Sequence, residues 1–192
     1  MRNNEEITLS NLDQAVSALK RGEVIAYPTE GVFGLGCDPD NPQAIQQLLT
    51  IKQRAKEKGL ILIAGSFEQL APYVDIHSLS ESRRQQIFAS WPGAVTWVLP
   101  TSKKTSDWVS GQFDTVAVRV TDHSQVIDLC QAFGKPLIST SANLSGQPAA
   151  LCYEEVVAQL GNQLDTILQG QTGGRKKPSK IIDGRSGQIF RE

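Results

Sequence analysis

The chain reads as an α/β protein: a twisted, open, mixed sheet with flanking helices. Three observations predict it. Short apolar runs with the composition of buried strands alternate with stretches whose apolar residues recur at helical spacing. The length, 192 residues, suits one domain with a sizeable core. With 40% hydrophobic and 20% charged residues the composition is that of a soluble globular protein. No repeat, low-complexity tract or linker divides it, so residues 1–192 are expected to form a single domain.

Each element follows in order. Ser10 is placed to cap a helix reaching about Arg21, with Leu12, Ala15, Val16 and Leu19 on one face and Gly22 as its stop. Residues 24–27 form a buried strand that 28–31 break. Residues 32–37 follow, with Gly34 and Gly36 permitting close backbone approach. Asn41 caps and Pro42 opens a helix to about Lys52. Residues 60–64, Leu-Ile-Leu-Ile-Ala, are the clearest buried strand, and Ser66 caps a short helix carrying Phe67 and Leu70. A helix over 80–90 ends near Trp91-Pro92-Gly93, a chain reversal. Strands at 95–99 and 115–120 follow, then a helix from Ser124 that turns Val126, Ile127, Leu129 and Cys130 inward. A strand at 137–140, a helix at 153–160, a short strand at 166–168, and two short strands around a 184–187 turn complete the chain.

The bulk properties narrow the function classes. Nineteen basic residues face 20 acidic ones, a formal net charge of -1, which argues against non-specific nucleic-acid binding over the whole surface. Cys37, Cys130 and Cys152 match no metal spacing, and an odd count makes no complete disulfide framework. The two histidines, His77 and His123, lie far from any cysteine in sequence, so no metal-ligating set is expected. Asp122-His123 reads as a helix-start acid beside an exposed histidine. No apolar run is long enough to span a membrane, and the polar start is not a secretory signal, so a cytoplasmic protein is expected.

Five segments can carry chemistry. Tyr27-Pro28-Thr29-Glu30-Gly31 followed by Phe33-Gly34-Leu35-Gly36 puts a hydroxyl, a carboxylate and glycines at a strand end, which suits a ligand mouth and equally a plain turn. Its glycine spacing is neither a dinucleotide fingerprint nor a P-loop. Lys52, Arg54, Lys56 and Lys58 recur at every second position. In an extended loop such cations point one way and can neutralise phosphate or carboxylate, whereas at a helix C-terminus they complement the macrodipole. Arg119 ends an apolar strand, where a guanidinium must be paired or face a cavity. Ser139-Thr140-Ser141-Ala142-Asn143 crowds three hydroxyls and a carboxamide at the end of the next strand, neutral groups that grip polar ligands without adding charge. Pro178-Ser179-Lys180 again sets polar residues before an apolar run. Neither a Ser-His-Asp order nor paired catalytic carboxylates emerge.

In order along the chain, the Tyr27 and Phe33 segments, Lys52-Gln53-Arg54, residues 60–63, Trp91-Pro92-Gly93-Ala94-Val95-Thr96, residues 116–119 and residues 139–146 resemble the YrdC-type threonylcarbamoyl-adenylate synthases. Each motif alone is weak, but their shared order from about Ile25 to Arg191 is specific, and the length matches the short bacterial form. The resemblance implies an open α/β sheet with a concave, positive cavity. It also implies a nucleotidyltransferase reaction in which L-threonine, bicarbonate and ATP, with Mg²⁺, give threonylcarbamoyl-AMP and pyrophosphate. The resemblance further implies that downstream proteins transfer the threonylcarbamoyl group to adenosine 37 of tRNAs that read codons beginning with A. The residue roles implied are Lys52, Arg54, Lys58 and Arg191 for the nucleotide, Ser141 and Asn143 for its phosphates or a Mg²⁺-bound water, and Arg119, Ser139 and Ser179 for threonine, with Thr29 and Gly31 beside it. No protein-borne metal set and no covalent intermediate is implied. The chain departs from the pattern at Gly31, where many relatives have threonine, at Ile63, the position of a histidine in longer relatives, and at Ala149, where those relatives have serine.

Two other classes compete. A non-catalytic RNA-binding module for tRNA or ribosome assembly would use Lys52, Arg54, Lys56, Lys58, Arg175, Lys176 and Lys177 as a phosphate track. A carbamoyl-adenylate domain like that of hydrogenase-maturation carbamoyltransferases is the other, although those chains are larger.

Overall fold

The computed structural model describes residues 9–164 and 166–192. Among these residues ten strands form one mixed sheet: β1 (Leu9–Ser10), β2 (Ile25–Pro28), β3 (Phe33–Gly36), β4 (Ile61–Ala64), β5 (Val95–Pro100), β6 (Thr115–Val120), β7 (Leu137–Ser141), β8 (Thr166–Leu168), β9 (Lys180–Asp183) and β10 (Ile189–Arg191). Their spatial order is β1-β8-β2-β3-β7-β4-β6-β5-β9-β10. Parallel pairs (β8 with β1 and β2, β4 with β6, β5 with β9) mix with antiparallel ones. Among the described residues seven α-helices flank it: α1 (Leu12–Lys20), α2 (Pro42–Lys52), α3 (Phe67–Leu70), α4 (Glu81–Ala89), α5 (Asp107–Ser110), α6 (Ser124–Phe133) and α7 (Tyr153–Leu160).

The predicted α/β class and nearly every predicted element are present. Two details differ. Ser10 ends β1, and Asn11 caps α1: its Oδ1 accepts from Gln14 N–H at 3.0 Å while Gln14 Oε1 accepts from Asn11 N–H at 2.9 Å. A reciprocal capping box fixes the start one residue later, because it needs a glutamine or glutamate three positions on. The single-turn α5 also escapes the periodicity reading, which needs more than one turn to register.

Side-chain alternation sorts the sheet into two faces. Ala26, Leu35, Leu62, Val118 and Ile138 point to the larger core, against Ile45 and Leu48 of α2, Ile87 of α4 and Val156 and Leu160 of α7. Ile25, Tyr27, Ile63, Leu137 and Leu168 point the other way, against Ala15 and Leu19 of α1 and Val126 and Leu129 of α6. Gly36 is required where β2, β3 and β7 meet: a Cβ there would lie 2.6 Å from the Ile138 carbonyl oxygen. Helices α1 and α6 cover only part of their face. Beyond them the same pleat carries Ile61, Ala117, Arg119, Ser139 and Ser141, which line a cavity instead of a helix.

Candidate active site

The cavity measures about 1280 Å³, more than a single drug-sized ligand fills, so two co-substrates fit in one space. Eight cations line it (Arg54, Lys58, Arg119, Arg175, Lys176, Lys177, Arg185 and Arg191) against three carboxylates. Those carboxylates are engaged. Asp114 takes both Nη atoms of Arg185 at 3.1 and 2.8 Å. Asp183 Oδ1 accepts the N–H groups of Arg185 and Ser186 at 2.7 and 3.2 Å. Glu30 is buried against Arg119. The lining thus carries more cations than carboxylates, and this surplus suits anions.

Strand β6 alternates Val116, Val118 and Val120 into the core with Thr115, Ala117 and Arg119 into the cavity. Arg119 is nearly buried, and its Nη2 stands 3.4 Å from Glu30 Oε2. Glu30 Oε1 accepts from Thr121 Oγ1 at 2.6 Å, and Thr121 Oγ1 in turn accepts from His123 N–H at 3.1 Å. One guanidinium nitrogen, Arg119 Nε, is buried with no hydrogen bond among the described residues. The arrangement holds Arg119 at one side and leaves donors for an incoming carboxylate. His123 is half-buried rather than exposed: it caps α6, and its Nε2 lies 3.3 Å from the Gln171 carbonyl.

The next wall joins β9 and β10. Arg191 Nε and Nη2 donate to the Ser179 carbonyl at 2.9 and 2.8 Å, and Nη2 reaches Ser179 Oγ at 3.0 Å. The Ser179 hydroxyl also shares a hydrogen bond of 2.9 Å with Thr96 Oγ1. Burial, with Arg119 close by, pushes the Arg191 guanidinium below its ordinary value.

The end of β7 has a different logic. Lys52, the last residue of α2, is buried, and its ammonium donates to the Ser141 carbonyl at 2.7 Å, the Asn143 carbonyl at 2.8 Å and Asn143 Oδ1 at 2.6 Å. Its three protons thus have three acceptors. Asn143 Oδ1 also accepts from Ser141 Oγ at 2.6 Å, while Asn143 Nδ2 donates to the Leu144 and Gln147 carbonyls at 3.0 and 2.7 Å. Burial, with Arg54 nearby, lowers Lys52 to about 8. Ser139 and Ser141 line the cavity; Lys52 and Asn143 stand behind them and lock the turn.

The alternating cations of 52–58 do not share one extended wall. Helix α2 runs through Lys52, Gln53 takes a left-handed conformation (φ 48°), and residues 56–58 make a 3₁₀ turn. Arg54 and Lys58 face the cavity. Lys56 instead packs 3.9 Å from the Trp108 ring centroid, and with Lys52 buried the run makes no continuous nucleic-acid track. Arg54 Nη2 donates to the Gly59 carbonyl at 2.9 Å, its Nε is buried without a partner among the described residues, and desolvation pushes its pKa below the ordinary guanidinium value.

The last wall is the β2–β3 turn. Thr29 Oγ1 donates to the Val32 carbonyl at 2.7 Å. Gly31 is pressed by the segment leading into β9: a Cβ on Gly31 would lie 2.7 Å from the Arg175 carbonyl oxygen. Residues Thr29, Gly31, Arg54, Lys58, Arg119, Ser139, Ser141, Ser179 and Arg191, all singled out from sequence, therefore line one cavity, as does Ala149. Sequence reasoning assigned no role to Glu30, Thr96 or Thr121. The clue for Glu30 was a carboxylate next to a buried strand, which has to find a partner.

Against known proteins, the family model named Sua5_yciO_yrdC, described as "Telomere recombination", matches residues 17–192. A threonylcarbamoyl-AMP synthase of Vibrio campbellii is 60% identical over 184 residues, covering 96% of this chain and all of that relative. Among solved structures, Sua5 of P. abyssi complexed with L-threonine superposes with a TM-score of 0.83 at 30% identity over 90% of this chain; the chain spans 50% of that longer protein. E. coli YciO superposes with a TM-score of 0.82 at 26% identity, covering 94% of this chain and 88% of that one. The chain belongs to the Sua5/YciO/YrdC family.

Proposed function

We infer that the protein is a threonylcarbamoyl-AMP synthase: an adenylate-forming transferase that uses L-threonine, bicarbonate and ATP. The observation that carries this reading is a single cavity, wide enough for both co-substrates and rich in uncompensated cations, in a chain 60% identical to a relative of that name over its full length. Threonine and bicarbonate give a carbamate with loss of water. A carbamate oxygen then attacks the α-phosphorus of ATP, the bond to the β-phosphate bridge breaks, and pyrophosphate leaves. Both reactants are anions, so the protein's work is to neutralise charge and hold them in line, and orientation of that kind can supply about 7–11 kcal/mol.

The geometry supports these roles. Arg119, held by Glu30, takes the threonine carboxylate, with Ser139, Ser179, Thr29 and the backbone at Gly31 around the amino acid. Arg54, Lys58 and Arg191 take phosphate oxygens. Ser141 commits its proton to Asn143 Oδ1, so it offers the cavity lone pairs, which suit a donor such as a metal-bound water. Among the described residues no cluster of three or more acidic, histidine or cysteine side chains stands ready for a metal. Mg²⁺ carried on the nucleotide phosphates would neutralise part of their charge, and the Ser141 hydroxyl would accept from one of its waters. Transfer to tRNA by downstream proteins, and a cytoplasmic setting with the three cysteines free, complete the proposal.

Pyrophosphate release from ATP tests it. The purified protein with Mg²⁺ should release pyrophosphate only when threonine and bicarbonate are both present. Nucleotide binding with no such release would sink the reading.

A further inference from the structure

The segment between β8 and β9 is a strap across the cavity. Gln169 N–H donates to the Ser10 carbonyl at 2.8 Å, Gly173 N–H to the Thr29 carbonyl at 3.0 Å and Arg175 N–H to the Glu30 carbonyl at 2.8 Å. Strand-like backbone bonds thus lay residues 173–175 along the β2–β3 turn. The fit depends on Gly31, which has no side chain to hold the Arg175 carbonyl away. So placed, Arg175, Lys176 and Lys177 line the cavity. The side chains of all three are exposed, and none forms an ion pair among the described residues.

Three adjacent cations stand on an anchored backbone, with no ion pair among the described residues, and can meet an anion in the cavity. Their like charges add at short range, which favours a polyanion over a single charge. Arg119 already has Glu30, and Arg191 is tied to Ser179, so the strap is the part of the wall with the most charge to give. RNA would need the positive surface to continue outward, but Lys52 is buried and Lys56 is spent on Trp108. A compact polyanion held inside the cavity fits better.

We propose that the Arg175–Lys176–Lys177 strap is a pyrophosphate subsite, which grips the β- and γ-phosphates of ATP and holds the leaving pyrophosphate. This rests on the synthase reading. Arg54 and Lys58 would then serve the α-phosphate side of the same ligand, and the strap would steady the leaving group as its charge grows.

The test is a Lys176→Ala/Lys177→Ala double variant, with inorganic pyrophosphate as the probe. Calorimetric titration of pyrophosphate needs no turnover, so it reads the strap separately from the reaction. Pyrophosphate affinity should fall about tenfold at low ionic strength, and the difference should shrink with added salt. In turnover, the KM for ATP should rise by a similar factor while the KM for threonine stays within about twofold. Unchanged pyrophosphate affinity in the double variant would overturn the proposal, and so would a loss confined to RNA binding. If the wild-type chain bound pyrophosphate through the strap but made none from threonine, bicarbonate and ATP, the synthase reading would fail and the subsite would stand.

Discussion

Replacing Lys52 with methionine separates two ways in which a buried cation can serve a reaction. The substitution keeps most of the stem volume and removes three donors, at 2.7, 2.8 and 2.6 Å. Asn143 Oδ1 retains its bond from Ser141 Oγ and the Ser141 carbonyl retains the Asn143 N–H at 3.1 Å, so the Asn143 carbonyl is the acceptor left short. A dry unsatisfied carbonyl costs about 1–3 kcal/mol, but Ser141 and Asn143 are only half-buried and water can reach them. Relief of the ammonium's own desolvation offsets part of the loss. The net destabilisation is therefore about 1–2 kcal/mol, a fall in Tm of roughly 2–8 °C for a chain of this size. Catalysis suffers more, because a turn displaced by about 1 Å can cost a hundredfold. The assay is pyrophosphate release by Lys52→Met, Asn143→Ala and the double variant. If Lys52 acts by locking the turn, the double variant is about as slow as the worse single one. If the two losses multiply, Lys52 contacts the nucleotide independently, and the positioning argument is refuted.

Other expected outcomes use the same contacts. Above about pH 8 Lys52 becomes an amine with two protons for three acceptors, so activity should fall with a midpoint near 8, and Lys52→Arg should move that limb upward. Stability has the opposite sign: between about 8 and the ordinary 10.5 the unfolded chain binds the extra proton, so this group alone makes the fold more stable as pH rises. Arg119→Ala should raise the KM for threonine and cost about 3 kcal/mol, because Glu30 is left buried without its cation; adding Glu30→Gln should restore the melting temperature but not the activity. Gly31→Ala, which changes no charge, should push the strap off the β2–β3 turn, costing about 1–3 kcal/mol and raising the KM for ATP; wild-type kinetics would show that the strap does not need that contact.

Much of this was written in local pattern. The alternation in Thr115–Val120 sent the valines to the core and Arg119 to the cavity, and the apolar run at residues 60–64 located a central strand. Asn41-Pro42 marked the start of α2 without ambiguity. What stayed hidden depends on contacts distant in sequence. Spacing alone showed Lys52 as one of four equivalent cations, yet the turn 89 and 91 residues later consumes all its protons. The strap has no periodicity, because its order comes from backbone bonds to Thr29 and Glu30 and from the missing side chain at Gly31. Composition marked the Ser139–Asn143 run as a candidate ligand wall without showing which of its residues face the ligand. The fold sorts it into Ser139 and Ser141 facing the cavity and Asn143 bracing them from behind.

The central claim is that one cavity gathers the threonine carboxylate and the ATP phosphates within reach of each other. A crystal structure with threonine and a non-hydrolysable ATP analogue measures this directly. The threonine carboxylate should lie on Arg119, the α-phosphate on the Arg54 and Ser141 side, and the outer phosphates toward Lys176 and Lys177. Nucleotide bound outside the cavity, or threonine bound away from Arg119, would contradict the account.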